Sequence, residues 1–342
     1  GIASLVMTQL YVFDPSYLRQ EISRIDYWGI GLLAMWVGSL QIALDLGQER
    51  DWFSSHFIMA LIVIASAGLV AFIVREWLVH EPVVDLHIFK ERTYSTGVFL
   101  MTTLGFVLYG SLVLLPIMLQ TLLGYPALQA GIAMAPRGVG SLIGMPLVGL
   151  LVGKIDARKM VAFGLILGAV TLIWLGELNL NAGYWDIFWP QFIQGASLAL
   201  LFVPLTTATM DPIPKEEMSN ATSMFNLMRN VGGSIEIASS TTYLFRRQQF
   251  HTNLLGSHVT PYSPQAQAML RAMEANMTAH GADPVTASHQ SYAAMWGLVQ
   301  RQAAMGSFVD TFRAMAVVFL LVIPMLFLMK RPTHRAGPGA MH

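Results

Sequence analysis

Eight stretches of this 342-residue chain are each about as long as a bilayer is thick, and apolar almost throughout. They fall near 26–46, 56–78, 95–121, 128–153, 157–178, 184–208, 219–245 and 309–330. A helix needs about 20 predominantly apolar residues to cross the hydrocarbon core. In that medium every backbone amide and carbonyl must be satisfied inside the structure, which leaves helices or closed barrels. These runs are too long for barrel strands and do not alternate, so the predicted fold is an all-α polytopic membrane protein. Pro116, Pro136, Pro146, Pro190, Pro204 and Pro324 interrupt several runs, which membrane helices tolerate. Tyr27, Trp28, Trp77, Tyr94, Tyr184 and Trp185 sit near run ends, where an interfacial aromatic belt would place them.

Composition closes off the other classes. Only 12% of residues are charged against 54% hydrophobic, whereas a soluble domain carries about 25% charged residues. Formal net charge is zero, so there is no electrostatic reason to expect nucleic acid as a partner. The absence of cysteine excludes disulfides and thiolate metal sites. Histidines lack metal-ligand spacing, and no nucleophile-elbow, zinc-protease or phosphate-loop motif is present. Neither an enzyme, a cofactor nor a metal is expected.

Basic residues set the orientation. Arg19, Arg24, Arg75, Lys90, Arg92, Lys154, Arg158, Lys159, Lys215 and Lys330 to Arg335 share one side of the alternation. Outside one long segment, the other side holds only Arg50. The positive-inside rule makes the first side cytoplasmic and the C-terminus with it, including a tail at 331–342. Residues 80–94 alternate apolar and charged and are predicted to lie along the cytoplasmic interface. Residues 246–307 are predicted as an exterior loop with two helically spaced stretches. The opening, 1–13, reads as the end of a membrane helix cut in its middle.

Ionisable groups within apolar runs are the candidates for function, because each must face a cavity or a partner. On the helix of 219–245, Arg229, Asn230 and Glu236 share a stripe with Asn226, Gly233 and Ser240. Arg137 and Glu236 each lie nine residues from the expected outer end of their helices, a depth suited to a buried pair. Three readings of Glu236 stand: a structural partner of Arg137, a titrating group, or a partner for a group outside this chain. Gln191, Gln194 and Tyr109 either line a pathway or hydrogen-bond between helices. In the tight loop "GKIDARK" that follows Gly149, Asp156 is placed to cap a helix, and Lys154, Arg158 and Lys159 to clamp a carboxylate or lipid. Any short positive cytoplasmic loop would also account for it.

That loop, together with "RIDYWGIGLLAMWVGSLQIALDLGQERDW", "EPVVDLHIFKERTY" and "MRNVGGSIEIA", resembles the major facilitator superfamily. The likeness is to its fourteen-helix drug:proton antiporter branch, of the EmrB/QacA type. The resemblance implies that 1–13 ends a sixth helix and that 24–79 holds the branch's two extra central helices. The C-terminal six-helix bundle would then be 95–245 with 309–330, and the N-terminal half would be missing. It implies proton-driven export of hydrophobic or amphipathic compounds across a bacterial inner membrane by alternating access. Gly149, Lys154, Asp156, Arg158 and Lys159 would form the cytoplasmic gating loop, although Lys154 stands where the branch has Asp. A periplasmic adaptor and an outer-membrane channel would be partners. The branch carries a small residue at the position of Glu236. Two other readings are a carrier for one specific metabolite and a non-transporting scaffold acting through 246–307.

Overall fold

The computed structural model describes residues 7, 9–10, 26–79 and 84–328, with the backbone alone at 106–108. The expected end of a helix at 1–13 and the tail at 331–342 therefore lie largely outside the described residues, as do 80–83. Apart from the helical residues at 7, 9 and 10, the fold is built from α1 (Tyr27–Gly47), α2 (His56–Leu78), α3 (Arg92–Thr121) and α4 (Ala127–Leu151), followed by α5 (Ala157–Leu175), α6 (Tyr184–Met210), α7 (Met218–Gly256), α8 (Pro264–Ala279) and α9 (Pro284–Val322). A 3-10 turn, Ile323–Leu328, continues α9. Among the described residues there is no strand, only an isolated bridge between Val152 and Ile155.

Helix starts follow local side-chain chemistry. Asp26 accepts from Gly29 N at 3.1 Å, and Asp156 from Arg158 N at 3.0 Å. Asp283 accepts from both Val285 N and Thr286 N at 3.1 Å, occupying amide donors that no helical carbonyl reaches. Pro264 and Pro284 occupy first-turn positions, where the missing N–H is harmless.

Seven helices among the described residues are long and apolar enough to cross a membrane: α1 to α6, and α9 with its 3-10 turn. The run at 219–245, expected as one of eight spans, belongs to α7 and falls short of that apolarity. The reason lies in its hydroxyl and charged residues. Several of those hydroxyls turn inward on their own helix: Ser234 donates to the Asn230 carbonyl, Ser239 to Ile235, Thr241 to Ile237 and Thr242 to Ala238. Such back-bonding conceals polarity that a hydropathy average counts in full.

Residues 246–307, expected as a loop, are helical over most of their length. α7 continues to Gly256, α8 follows, and α9 begins at Pro284. α8 packs on α9 and buries Ala266 and Leu270.

The chain divides into two compact units. The first comprises residues to Ser95 with Met210–Leu227. Within it α1 packs on α2. Trp36 stacks on Phe72 with ring centroids 6.1 Å apart, and Gly68 admits the Trp36 backbone. Arg75 binds Asp26 bidentately, at 2.7 and 3.0 Å. Within 80–94, a 3-10 turn at Leu86–Lys90 buries Ile88 and exposes Lys90.

The second unit, Thr96–Thr209 with Met228–His342, contains six long helical segments whose pairwise contacts close a ring. Gly105 of α3 meets the Arg229 carbonyl of α7. Asp310 of α9 binds Arg247 of α7, and Phe319 of α9 fills the space at Gly168 of α5. Ser197 of α6 donates to the Gly164 carbonyl of α5 at 2.8 Å. α4 and α6 then approach at backbone distance: a Cβ on Gly140 would strike the Phe192 carbonyl, and one on Gly195 the Arg137 carbonyl. Gly140 and Gly144 are four apart, a small-residue spacing that lets membrane helices pack through van der Waals contact.

Gly195→Ala should therefore destabilise the fold by about 1–3 kcal/mol, read as a lower unfolding midpoint of the purified protein in detergent. Gly138→Ala, where a Cβ meets nothing within 4 Å, should leave that midpoint unchanged. Equal midpoints for the two variants would show that α4 and α6 are not in backbone contact.

Candidate functional site

The close α4–α6 crossing brings polar side chains together where no water is expected. Gly195 admits the backbone of Arg137, so the Arg137 side chain emerges beside Gln194. Arg137 is 6% exposed, Gln194 2% and Gln191 0%. One guanidinium nitrogen of Arg137 donates both to Gln194 Oε1 and to Ser111 Oγ of α3, the latter at 2.5 Å. Gln194 Nε2 donates in turn to Ser111 Oγ at 3.2 Å, and Gln191 Nε2 to Gln194 Oε1 at 3.3 Å. Three helices are thus joined by one buried polar network around a single cation. Gln194 thus makes interhelical hydrogen bonds, whereas Gln191 donates within its own helix and its Oε1 has no hydrogen-bond partner within the protein.

Glu236 lies on α7 and is 2% exposed. Its Oε1 accepts from Ser240 Oγ, one turn on, at 2.5 Å. Its Oε2 has no hydrogen-bond partner within the protein. Gly110 of α3 makes the room, since a Cβ there would overlap the carboxylate. No ion pair joins Arg137 to Glu236 among the described residues, contrary to the structural pair expected from depth. Depth is a sound coordinate but not a sufficient one. Gly110 and Ser111 are consecutive on α3, and one receives Glu236 while the other binds Arg137. The two charges meet the same level of α3 through different neighbours.

The remaining predicted residues separate. Tyr109 packs its ring against Gly233 of α7. Arg229 is half-buried, with its guanidinium 5.9 Å from the centroid of the Phe202 ring. Asn230 is exposed. In the loop after α4, Asp156 caps α5 as its position suggested, and Gly153 adopts φ +87°, a turn conformation suited to glycine. Gly149 does not admit a neighbouring backbone, because a Cβ there meets nothing within 4 Å. Lys154 and Lys159 are exposed, and none of Lys154, Arg158 and Lys159 forms an ion pair among the described residues.

Two features escaped sequence reasoning. Ser111 is the hub of the Arg137 network, yet a lone serine in an apolar run carries no signal. Asp310 of α9 accepts from Arg247 Nε at 2.7 Å and lies 2.7 Å from His251 Nε2. The i, i+4 spacing of Arg247 and His251 hints at a shared acceptor, but only the pairing of α7 with α9 identifies it. Among the described residues no cluster of histidine and carboxylate groups could hold a metal ion.

Comparison with known proteins places this ring of helices. The profile of the Major Facilitator Superfamily matches residues 27–235. The chain belongs to that superfamily. Among superfamily relatives, it is 37% identical to multidrug export protein EmrB of Escherichia coli K12 over 346 residues, covering 99% of this chain and 65% of the relative. It is 34% identical to fatty acid resistance protein FarB of Neisseria gonorrhoeae, covering 92% and 60%. It is 24% identical to colistin resistance protein EmrB of Acinetobacter baumannii, covering 96% and 64%. The chain thus spans somewhat less than two thirds of the length of these superfamily members.

Gln194→Leu should cost about 3–5 kcal/mol by leaving the buried Arg137 cation short of an acceptor. Arg137→Met combined with Gln194→Leu should recover much of that loss in a double-mutant cycle. Arg137→Met and Glu236→Gln share no partner, so their effects should add within about 0.5 kcal/mol. Strong coupling between Arg137 and Glu236 would restore the direct pair.

Proposed function

We propose that this chain is the C-terminal portion of a proton-coupled exporter of hydrophobic and amphipathic compounds. On this reading α1 and α2 are the central helices, and the second unit is the C-terminal bundle of an alternating-access transporter. The observation that carries it is near-complete coverage of the chain by a relative named a multidrug export protein. The residues suit export: seven of the described helices are long and apolar enough to cross a membrane, and buried polar groups lie on facing helices. The membrane is the inner membrane of a bacterium, with the C-terminus cytoplasmic, in keeping with the basic residues of the short loops.

The test uses the full-length gene product in an efflux-deficient strain. Expression should lower the steady-state accumulation of Nile Red, an uncharged hydrophobic dye, at least several-fold. Collapse of the proton gradient should restore accumulation at unchanged ATP. Accumulation that is indifferent to expression would overturn export, and export that survives the collapse would overturn proton coupling.

A specific surface favours a further partner. α8 folds its Ala266 and Leu270 face onto its own chain, yet Tyr262, Tyr292 and Trp296 remain 93%, 60% and 50% exposed. We propose that this face engages a periplasmic adaptor leading to an outer-membrane channel. Tyr292→Ala with Trp296→Ala should leave insertion and dye transport in isolated membranes intact, while adaptor co-purification and resistance of whole cells fall. Unchanged co-purification would rule the docking surface out.

A further inference from the structure

The link between α8 and α9, residues 280–283, is only four residues long. The two helices therefore run antiparallel, and the last turns of α8 lie beside the first turns of α9. α8 packs on α9 and buries Ala266 and Leu270. At about 100° per residue, Met273 and Met277 fall within about 60° of Leu270, on the same face, and Met269 lies at its rim. Met273 and Met277 are half-buried, whereas Met269 is 45% exposed. Over the stretch that follows the link, α9 buries Ala287, Ser291 and Met295.

The polar groups of α8 do nothing to hold it there. Ser263 caps its own first turn, Thr278 donates to the Glu274 carbonyl, and the His280 ring meets the Asn276 carbonyl. Among the described residues no hydrogen bond or ion pair joins α8 to another helix. Its attachment is apolar contact, and thioethers supply much of its last two turns. A thioether is the one apolar side chain that mild oxidants convert to a polar one. A sulfoxide oxygen buried in that contact needs a donor. The amides of both helices are occupied by their own carbonyls, and Ser291 already donates its hydroxyl proton to the Ser288 carbonyl at 2.7 Å. Water is the donor that remains, and it reaches the oxygen when α8 separates from α9.

We propose that Met273 and Met277 are modification sites at which a two-electron oxidant of the hypochlorous acid class releases α8 from α9. The sulfur gives an electron pair to the oxygen of hypochlorous acid. An S–O bond forms, the O–Cl bond breaks, chloride leaves and the hydroxyl proton passes to water. Sulfur is oxidised by two electrons and chlorine is reduced by the same two. The assignment rests on the exterior placement of 246–307, outside the reducing cytoplasm, and not on what the protein exports.

The probe is hypochlorous acid at low molar ratio, added to the purified full-length protein, with trypsin as the reporter. Arg271 is the only Lys or Arg between positions 248 and 300. It lies inside α8, so cleavage after it requires that helix to open. Oxidant should speed this cleavage about 10-fold. Peptide mass spectrometry should find oxygen added at Met273 or Met277 and none at Met101 or Met118, both 0% exposed. Methionine sulfoxide reductases for both sulfur epimers should return the rate to its starting value. Met273→Leu with Met277→Leu conserves volume and should keep slow cleavage while losing the response, whereas Met269→Leu should retain it. Unchanged cleavage once both sulfurs carry oxygen would overturn the proposal, as would an undiminished response from the double variant. In spheroplasts, oxidant and trypsin added from outside should give the same accelerated cleavage. Its absence there would overturn the exterior exposure of the site, and the proposal with it. No readout uses transport, so failure of the switch leaves the export reading standing.

Discussion

The backbone carbonyl of Arg137 occupies the place where any side chain on Gly195 would have to go, and the guanidinium of the same residue holds Ser111 and Gln194. Packing and polarity are thus one arrangement. A guanidinium buried among apolar helices is tolerable only when fixed acceptors meet it. Those acceptors sit on α3 and α6, and they reach the guanidinium because glycines let α4 and α6 touch along their backbones. Widening that crossing would withdraw Gln194 from Arg137 while leaving the cation buried. The α3–α4–α6 side of the bundle is held in register by this requirement more than by hydrophobic burial, which lipid tails supply equally well to a separated helix.

α7 solves a related problem by other means. Its serines and threonines donate to carbonyls of their own preceding turn, so its polarity is largely settled before it meets a neighbour. Arg229, whose buried Nε has no hydrogen-bond partner within the protein, and Glu236 are exceptions. For Glu236, Ser240 satisfies one oxygen, Gly110 provides room, and the other oxygen has no partner within the protein. A helix that looks too polar to span a membrane is therefore polar chiefly to itself.

The helical, polytopic architecture was legible because about 20 apolar residues and the demand for backbone satisfaction admit few alternatives. The cap at Asp156 was legible for a similar reason: only local geometry decides it. Helix ends governed by extension beyond the apolar run were not. Arg246 and Arg247 read as the start of a loop, yet α7 continues to Gly256 because Arg247 and His251 find Asp310 on α9. Depth along a helix was readable for Arg137 and Glu236, but azimuth was not, and azimuth decides which neighbour a side chain meets. Ser111 and Gly110 had no signature at all. Their roles come from the charges that other helices bring to them.

Gly110 and Ser111 show how little sequence distance separates two electrostatic environments. Successive residues on a helix point about 100° apart, so α3 presents an empty position toward α7 and a hydroxyl toward α4 at one level of the bundle. One guanidinium nitrogen of Arg137 is held by buried side chains of its own bundle, while its Nε and Nη1 have no hydrogen-bond partner within the protein. The carboxylate is likewise half met: Ser240 donates to one oxygen, and the second has no partner within the protein. Had the two charges been neighbours, each would have neutralised the other. With α3 between them, Arg137 and Glu236 are each met by a different set of groups.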